Sequence, residues 1–206
     1  MDTCFLFAKK LDDSGCYCLK LSPSGDLISP LIYRDFTQIR ELQEDCNTII
    51  VESSINATLL HVELPWLPER QARAAIPYAL EDQLSESVDE LHFAFDKQHY
   101  QKNHYFIVII KKKSLRDLMQ KMEQHGIEFS QITLDWFALD PHQLCISEST
   151  LLVNEDDFKG ALSGELALIY MGKTDAKKPL IFEDSRIVDK ATPDRDSQHS
   201  YLWIAT

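Results

Sequence analysis

The run from His104 to Ile110 constrains the fold more than any other segment. Tyr105, Phe106, Ile107, Val108, Ile109 and Ile110 follow one another without a polar interruption, and successive side chains of a strand point to opposite faces. A strand apolar on both parities sits in the middle of a sheet that is covered on both sides. Leu91–Phe95 reads as its partner strand. Such a buried strand argues for a layered α/β architecture.

The chain before this pair opens with strands. Cys4–Ala8, Cys16–Leu21 and Asp26–Tyr33 are three strand-like runs, the third entered through the turn Pro23-Ser24-Gly25, and connections this short make them antiparallel. Phe36, Ile39 and Leu42 then keep helical spacing, with Asp35 or Thr37 as the cap. Thr48–Val51 and Thr58–Leu64 read as strands, the latter closed by Pro65. Between Pro68 and Ser85 the apolar residues Ala72, Ala75, Ile76, Ala79, Leu80 and Leu84 recur at helical spacing. Pro77 lies inside that pattern and is expected to kink the helix or divide it. Ser114 to His125 is a further helix, with Ser114 and Asp117 resembling a capping box, an apolar stripe of Leu115, Leu118, Met119 and Met122, and Gly126 as its stop. Ile127 to Leu134 alternates as a strand and leads to Trp136 and Phe137.

Antiparallel strands followed by alternating helices and strands describe a ribonuclease-H-like layer, the unit duplicated in actin-like proteins. The expectation is therefore an α/β, actin-like architecture of mixed sheets flanked by helices. Residues 1–147 form the first half with an inserted subdomain at roughly 57–97, and residues 148–206 begin the second. In that second half Thr150–Asn154, Glu165–Met171 and Pro179–Phe182 are expected as the three opening strands. Tyr201–Ala205 is expected as a fourth, after the charged stretch Glu183–Ser200, and the half stops short of a complete unit.

Composition excludes several functions. The 206 residues carry a formal net charge of −12, whereas nucleic-acid binding calls for a basic surface. The same charge disfavours direct adhesion to an anionic membrane and leaves a basic protein surface as the natural partner. No apolar stretch approaches the ~20 residues that span a bilayer, and Cys4–Ala8 is too short for a signal peptide. The chain reads as soluble. Its five cysteines, Cys4, Cys16, Cys18, Cys46 and Cys145, are odd in number and contain no CxxC pair. They read as reduced thiols acting as small hydrophobes, and His61, His92, His99 and His104 do not complete a zinc site with them.

Catalytic constellations are also missing. A nuclease of this fold holds metal ions with carboxylates on its first and fourth strands; Cys4–Ala8 has none and Thr48–Val51 has only Glu52 at its end. An actin-like ATPase needs glycine-containing turns whose N–H groups wrap phosphates. Asp13-Ser14-Gly15 can be read as such a turn or as a hairpin, and the hairpin is the better reading. The corresponding turn of the second half is taken as Asn154–Gly160, where Glu155, Asp156 and Asp157 would repel a polyphosphate. There is no GxxxxGK[ST] and no GxSxG. His92 reads as a structural hydrogen-bonding group rather than a catalytic one. No catalytic residue, cofactor or metal is expected.

Charge is unevenly placed. From Glu81 to Asp96 the acids Glu81, Asp82, Glu86, Asp89, Glu90 and Asp96 occur without a Lys or Arg. From Lys97 to Lys121 the sign reverses, with Lys97, Lys102, Lys111, Lys112, Lys113, Arg116 and Lys121. Two solvated faces would explain this; so would an acidic patch that steers a basic partner. The candidate partner-binding residues are Glu81, Asp82, Glu86, Asp89 and Glu90.

The same region carries a resemblance. Leu64-Pro65, Pro68-Glu69-Arg70-Gln71-Ala72-Arg73, Ala75-Ile76-Pro77-Tyr78-Ala79-Leu80-Glu81-Asp82-Gln83-Leu84 and Val88-Asp89-Glu90-Leu91-His92-Phe93-Ala94 resemble the signature of the type II secretion system protein L family. A looser similarity continues through Leu151-Leu152-Val153 to Phe158–Leu162. The resemblance implies a non-catalytic scaffold at the cytoplasmic side of the bacterial inner membrane, with an actin-like portion that binds the N-terminal domain of the secretion ATPase. It also implies homodimerisation, and a transmembrane helix and periplasmic domain, missing from these residues, that reach the protein M partner. The alternative is a nucleotide-binding platform protein of type IV pilus assembly, of the protein M type.

Overall fold

The computed structural model describes residues 1–147 and 149–173, and the backbone of 180–182. The chain opens with β1 (Asp2–Phe7), β2 (Gly15–Leu21) and β3 (Leu27–Asp35), then α1 (Phe36–Leu42) and β4 (Cys46–Glu52). Asp35 starts α1 by a reciprocal cap: its carboxylate accepts from the Gln38 N–H, and the Gln38 side chain accepts from the Asp35 N–H. An insertion follows, made of β5 (Ala57–Glu63), α2 (Glu69–Leu80), β6 (Leu91–Phe95) and β7 (His104–Lys111). The chain then completes the first unit with α3 (Lys112–Gln124) and β8 (Gln131–Leu134).

The first sheet has the order β3-β2-β1-β4-β8. The β1–β2–β3 meander is antiparallel, while β4 lies parallel to β1 and β8 parallel to β4. This is the ribonuclease-H-like unit. The second unit repeats its beginning with β9 (Gln143–Ser147), β10 (Thr150–Asn154), β11 (Lys159–Ser163), α4 (Gly164–Lys173) and β12 (Leu180–Phe182). Its order is β11-β10-β9-β12, again an antiparallel meander with a later strand parallel to its first. Two such units make the architecture actin-like.

The insertion forms its own sheet, β5-β7-β6, with β7 in the centre as its two-faced pattern requires. Tyr105, Ile107 and Ile109 pack with Ala72, Ile76 and Leu80 of α2. Phe106, Val108 and Ile110 join the main core with Leu6, Leu118, Trp136 and Leu152. Cys4, Cys16 and Cys18 are wholly buried in that core, and burial pushes the Cys4 and Cys16 thiols up to about 12. In the second unit Cys145, Leu152 and Ala161 face the same core, while Leu144, Leu151 and Val153 face α4.

Several expectations are corrected. Glu165–Met171 is not a strand but the body of α4: Ala167, Tyr170 and Met171, at helical spacing, are the residues that meet the sheet. The second meander is instead β9, β10 and β11, and the strand expected at Pro179–Phe182 is found at Leu180–Phe182 as the parallel fourth. Ser147 ends β9 and Thr150 begins β10, and the two strands pair. The insertion's sheet extends to Lys111, because β7 is its centre. Pro77 does not divide α2, which runs to Leu80. At that position the missing N–H forfeits one helical bond near the end. Ser114 does not cap α3, which begins at Lys112 directly after β7. Only Gln131–Leu134 of the expected Ile127–Leu134 strand forms the ladder, with Ile49–Glu52 of β4, and the Ser130 N–H adds one bond to the Thr48 carbonyl. Glu183–Ser200 and Tyr201–Ala205 lie outside the described residues.

Candidate functional site

Open α/β sheets present ligands at the carboxyl ends of their parallel strands. Here those ends are the residues after β1, β4 and β8, and they face the end of β9. Residues 8–14 connect β1 to β2. At the tip of this connection Asp12 accepts from the Ser14 N–H at 2.8 Å, the Gly15 N–H at 3.0 Å, the Ser14 hydroxyl at 2.8 Å and the Tyr33 hydroxyl at 2.6 Å. The Tyr33 hydroxyl, followed by the Ser14 donors, holds the Asp12 carboxyl well below the usual range. The N–H groups that would wrap a phosphate are thus occupied by the chain's own carboxylate. Gly15 serves strand approach instead: a Cβ there would lie 1.9 Å from the Arg34 carbonyl oxygen. The hairpin reading of this turn holds.

The counterpart turn of the second unit is a correction. Because β9 is its first strand, the equivalent connection is the one between β9 and β10, and Asn154–Gly160 is the next turn along. There the Lys159 ammonium donates to Asn154 Oδ1 at 3.2 Å and to the Glu155 carbonyl at 3.1 Å, and the Glu155 carboxylate meets His142 Nδ1 at 3.2 Å.

Where the two units meet lies a polar junction. The Ser54 N–H donates to Asp135 Oδ1 at 2.9 Å, and the Ser54 hydroxyl donates to the same oxygen. The Trp136 N–H donates to Ser54 Oγ at 3.0 Å, and Trp136 Nε1 donates to the Val153 carbonyl at 2.6 Å. Burial raises the pKa of Asp135, opposed by its Ser54 bonds and by the charge of Lys9. Lys9 itself donates to the Ser147 carbonyl at 3.0 Å. Sequence reasoning missed this group altogether; an acid directly before Trp136-Phe137 was the only signal. Among the described residues no cluster of three His, Cys, Asp or Glu side chains forms that could hold a metal ion.

The acidic residues lie elsewhere, on the outer end of the insertion. Glu81 and Asp82 form a short helical turn that continues α2, and Asp89 and Glu90 sit in another just before β6. All four are exposed, and Glu86 is half-buried between them. α2 carries no basic residue in its last turn, so Glu81 and Asp82 stand unfavourably at the negative end of the helix dipole. Part of the patch is answered internally. Glu86 pairs with Lys111 at 2.7 Å, and the Lys112 ammonium donates to the Asp89 carbonyl at 3.0 Å. The basic run is likewise drawn to local acids, Lys97 to Glu69, Lys113 to Asp117 and Lys121 to Asp13. Nearby, Tyr78 is 73% exposed and Trp66 58% exposed. His92 stands on β6 with its pKa lowered by burial and by the charges of Arg73 and Lys112. It is on the strand face that includes Ala94, turned toward the main core.

Residues 35–167 match the family model described as Type II secretion system (T2SS), protein L. The type II secretion system protein L of Dickeya chrysanthemi is 29% identical over 90 residues, which is 44% of this chain and 22% of that protein. The match therefore spans well under two thirds of that relative's length. Among solved structures, the cytoplasmic domain of EpsL, an inner membrane component of the type II secretion system of Vibrio cholerae, superposes with a TM-score of 0.64 at 17% identity, covering 88% of this chain and 81% of that one. The PilM–PilN type IV pilus biogenesis complex gives a TM-score of 0.53 at 13% identity, covering 78% and 61%. At these identities the structural likeness concerns the fold.

Proposed function

Because the chain belongs to the type II secretion system protein L family, a component of the secretion machinery's inner-membrane platform, we propose that it is a non-catalytic scaffold that recruits the secretion ATPase. The acidic rim of the insertion is the docking site in this reading. Glu81, Asp82, Asp89 and Glu90 give the attraction, and Glu86 shapes the segment through its pair with Lys111. The carrying observation is the placement of exposed acids at the wrong end of α2, where they oppose the helix dipole and a cationic partner would offset that cost.

The non-catalytic part of the proposal is supported by Asp12, which takes up the N–H groups of the first turn. No described helix is long and apolar enough to cross a membrane. In this reading, attachment to the cytoplasmic side of the inner membrane and contact with protein M use parts of the family's architecture outside these residues. Homodimerisation belongs to the same reading. Tethering a soluble ATPase beneath the membrane raises its local concentration at the platform.

The test is titration of the ATPase's N-terminal domain with the wild-type chain and with a Glu81→Lys, Asp82→Lys, Asp89→Lys, Glu90→Lys variant. Wild-type binding that weakens with salt, and at least a tenfold loss in the variant, is expected. Equal binding by the two at low salt would refute the docking site, and no binding by either would refute ATPase recruitment. The type IV pilus reading makes ATP a ligand, so calorimetric binding of ATP below millimolar concentration would favour it.

A further inference from the structure

The geometry points to Lys9 as a built-in clamp that fastens the two units together across their seam. Lys9 stands in the connection after β1, the central strand of the first sheet. Its half-buried ammonium crosses to the last residue of β9, 138 positions along the chain, donating to the Ser147 carbonyl at 3.0 Å and approaching the Ser147 hydroxyl at 3.4 Å. A cationic donor on a carbonyl makes a bond stronger than one between neutral groups.

The ammonium does not reach out from a loose surface. Its charge is felt by the Asp135 carboxylate, which Ser54 fixes at the ends of β4 and β8 through two hydrogen bonds. The residue after Asp135 then ties the neighbouring strand of the second unit, since Trp136 Nε1 donates to the Val153 carbonyl on β10. β9 and β10 are adjacent in the second sheet, so Lys9 fastens one and Trp136 the other. Two fastenings on adjacent strands, added to the core that both units share, oppose the rotation that one alone would allow. Here the chain's own lysine adds to the core in which Cys145 and Leu152 pack with Leu6 and Trp136, and the two units move as one body. Displacement imposed on one unit is passed to the other instead of being absorbed between them. This holds whichever protein docks on the insertion.

Hydrogen exchange on the 206-residue chain tests the clamp, comparing wild type with Lys9→Met, which keeps the stem without the charge, and Lys9→Arg, which keeps a cationic donor. Amides of β9 and β10 are expected to exchange roughly tenfold faster in Lys9→Met, the size of one charge-assisted bond. Lys9→Arg should restore most of that protection, and the β5-β7-β6 sheet should be unaffected in both. Unchanged β9 and β10 protection in Lys9→Met would overturn the clamp. So would faster exchange spread evenly over both units, which would mark general destabilisation. If Lys9→Met does not fold, Lys9→Gln supplies a neutral donor and must show the same localised loss in smaller measure.

Discussion

Strand β7 is buried on both faces, and that claim can be tested one face at a time. Ile107 is fully buried against α2, and Val108 is fully buried in the main core on the opposite face. Ile107→Ala removes three carbons, worth about 2.4 kcal/mol of transfer free energy at ~0.8 kcal/mol each. The cavity left under α2 brings the loss to about 3–4 kcal/mol. Val108→Ala removes two carbons, about 1.6 kcal/mol of transfer, and about 2–2.5 kcal/mol with its cavity. Urea unfolding followed by tryptophan fluorescence reads both, because Trp136 lies 5.5 Å from Phe106 on the main-core face. With a slope of about 2–3 kcal/mol per molar urea, the midpoint should fall by about 1–2 M for Ile107→Ala and about 1 M for Val108→Ala. A loss within about 0.5 kcal/mol of zero for either variant is what surface substitutions give. That result would show one face of β7 to be uncovered and would refute the two-layer account of the insertion.

Two further outcomes follow from buried ionisable groups. The Asp135 carboxyl has a raised pKa in the folded chain, so the fold binds its proton more tightly than the unfolded chain does, and its stabilising share is lost as pH rises from the ordinary carboxylate range through the folded value. Asp135→Asn should therefore gain on wild type in thermal stability over that rise; a difference independent of pH would contradict it. Among the thiols, Cys46 is partly exposed while Cys4, Cys16, Cys18 and Cys145 are buried. An aromatic disulfide reagent near pH 8 should label Cys46 first and the other four only on unfolding, and rapid labelling of Cys16 would refute the burial of β2.

Legibility differed from element to element for physical reasons. β7 was readable because six consecutive apolar residues leave no polar face, and α1 because Phe36, Ile39 and Leu42 keep helical spacing; which of Asp35 and Thr37 caps it was settled by the structure, in favour of Asp35. β9 was not readable. Gln143-Leu144-Cys145-Ile146-Ser147 is short, and its apolar core occupies both parities, so no periodicity announces a strand. Missing it displaced the expected second meander by one strand and assigned the wrong turn as counterpart of the first hairpin. α4 was misread for a related cause. Leu166, Leu168 and Ile169 are exposed and apolar, which hides the helical stripe of Ala167, Tyr170 and Met171. The acidic segment was visible as composition, but the pairing of Glu86 with Lys111 depends on β7 ending beside it.

By itself the sequence determined the local elements of the first unit, the covered central strand, the absence of phosphate-loop and nucleophile motifs, and the family signature from Leu64 to Ala94. These are properties of near neighbours in the chain, where spacing and residue type suffice. Tertiary structure alone decided that the Tyr33 hydroxyl closes on Asp12, that Asp135 is buried beneath Ser54, and that Lys9 meets Ser147. The last contact joins residues 138 positions apart. Such pairs are set by how finished sheets pack, and no local pattern encodes which lysine will face which carbonyl once the two units have closed on a common core.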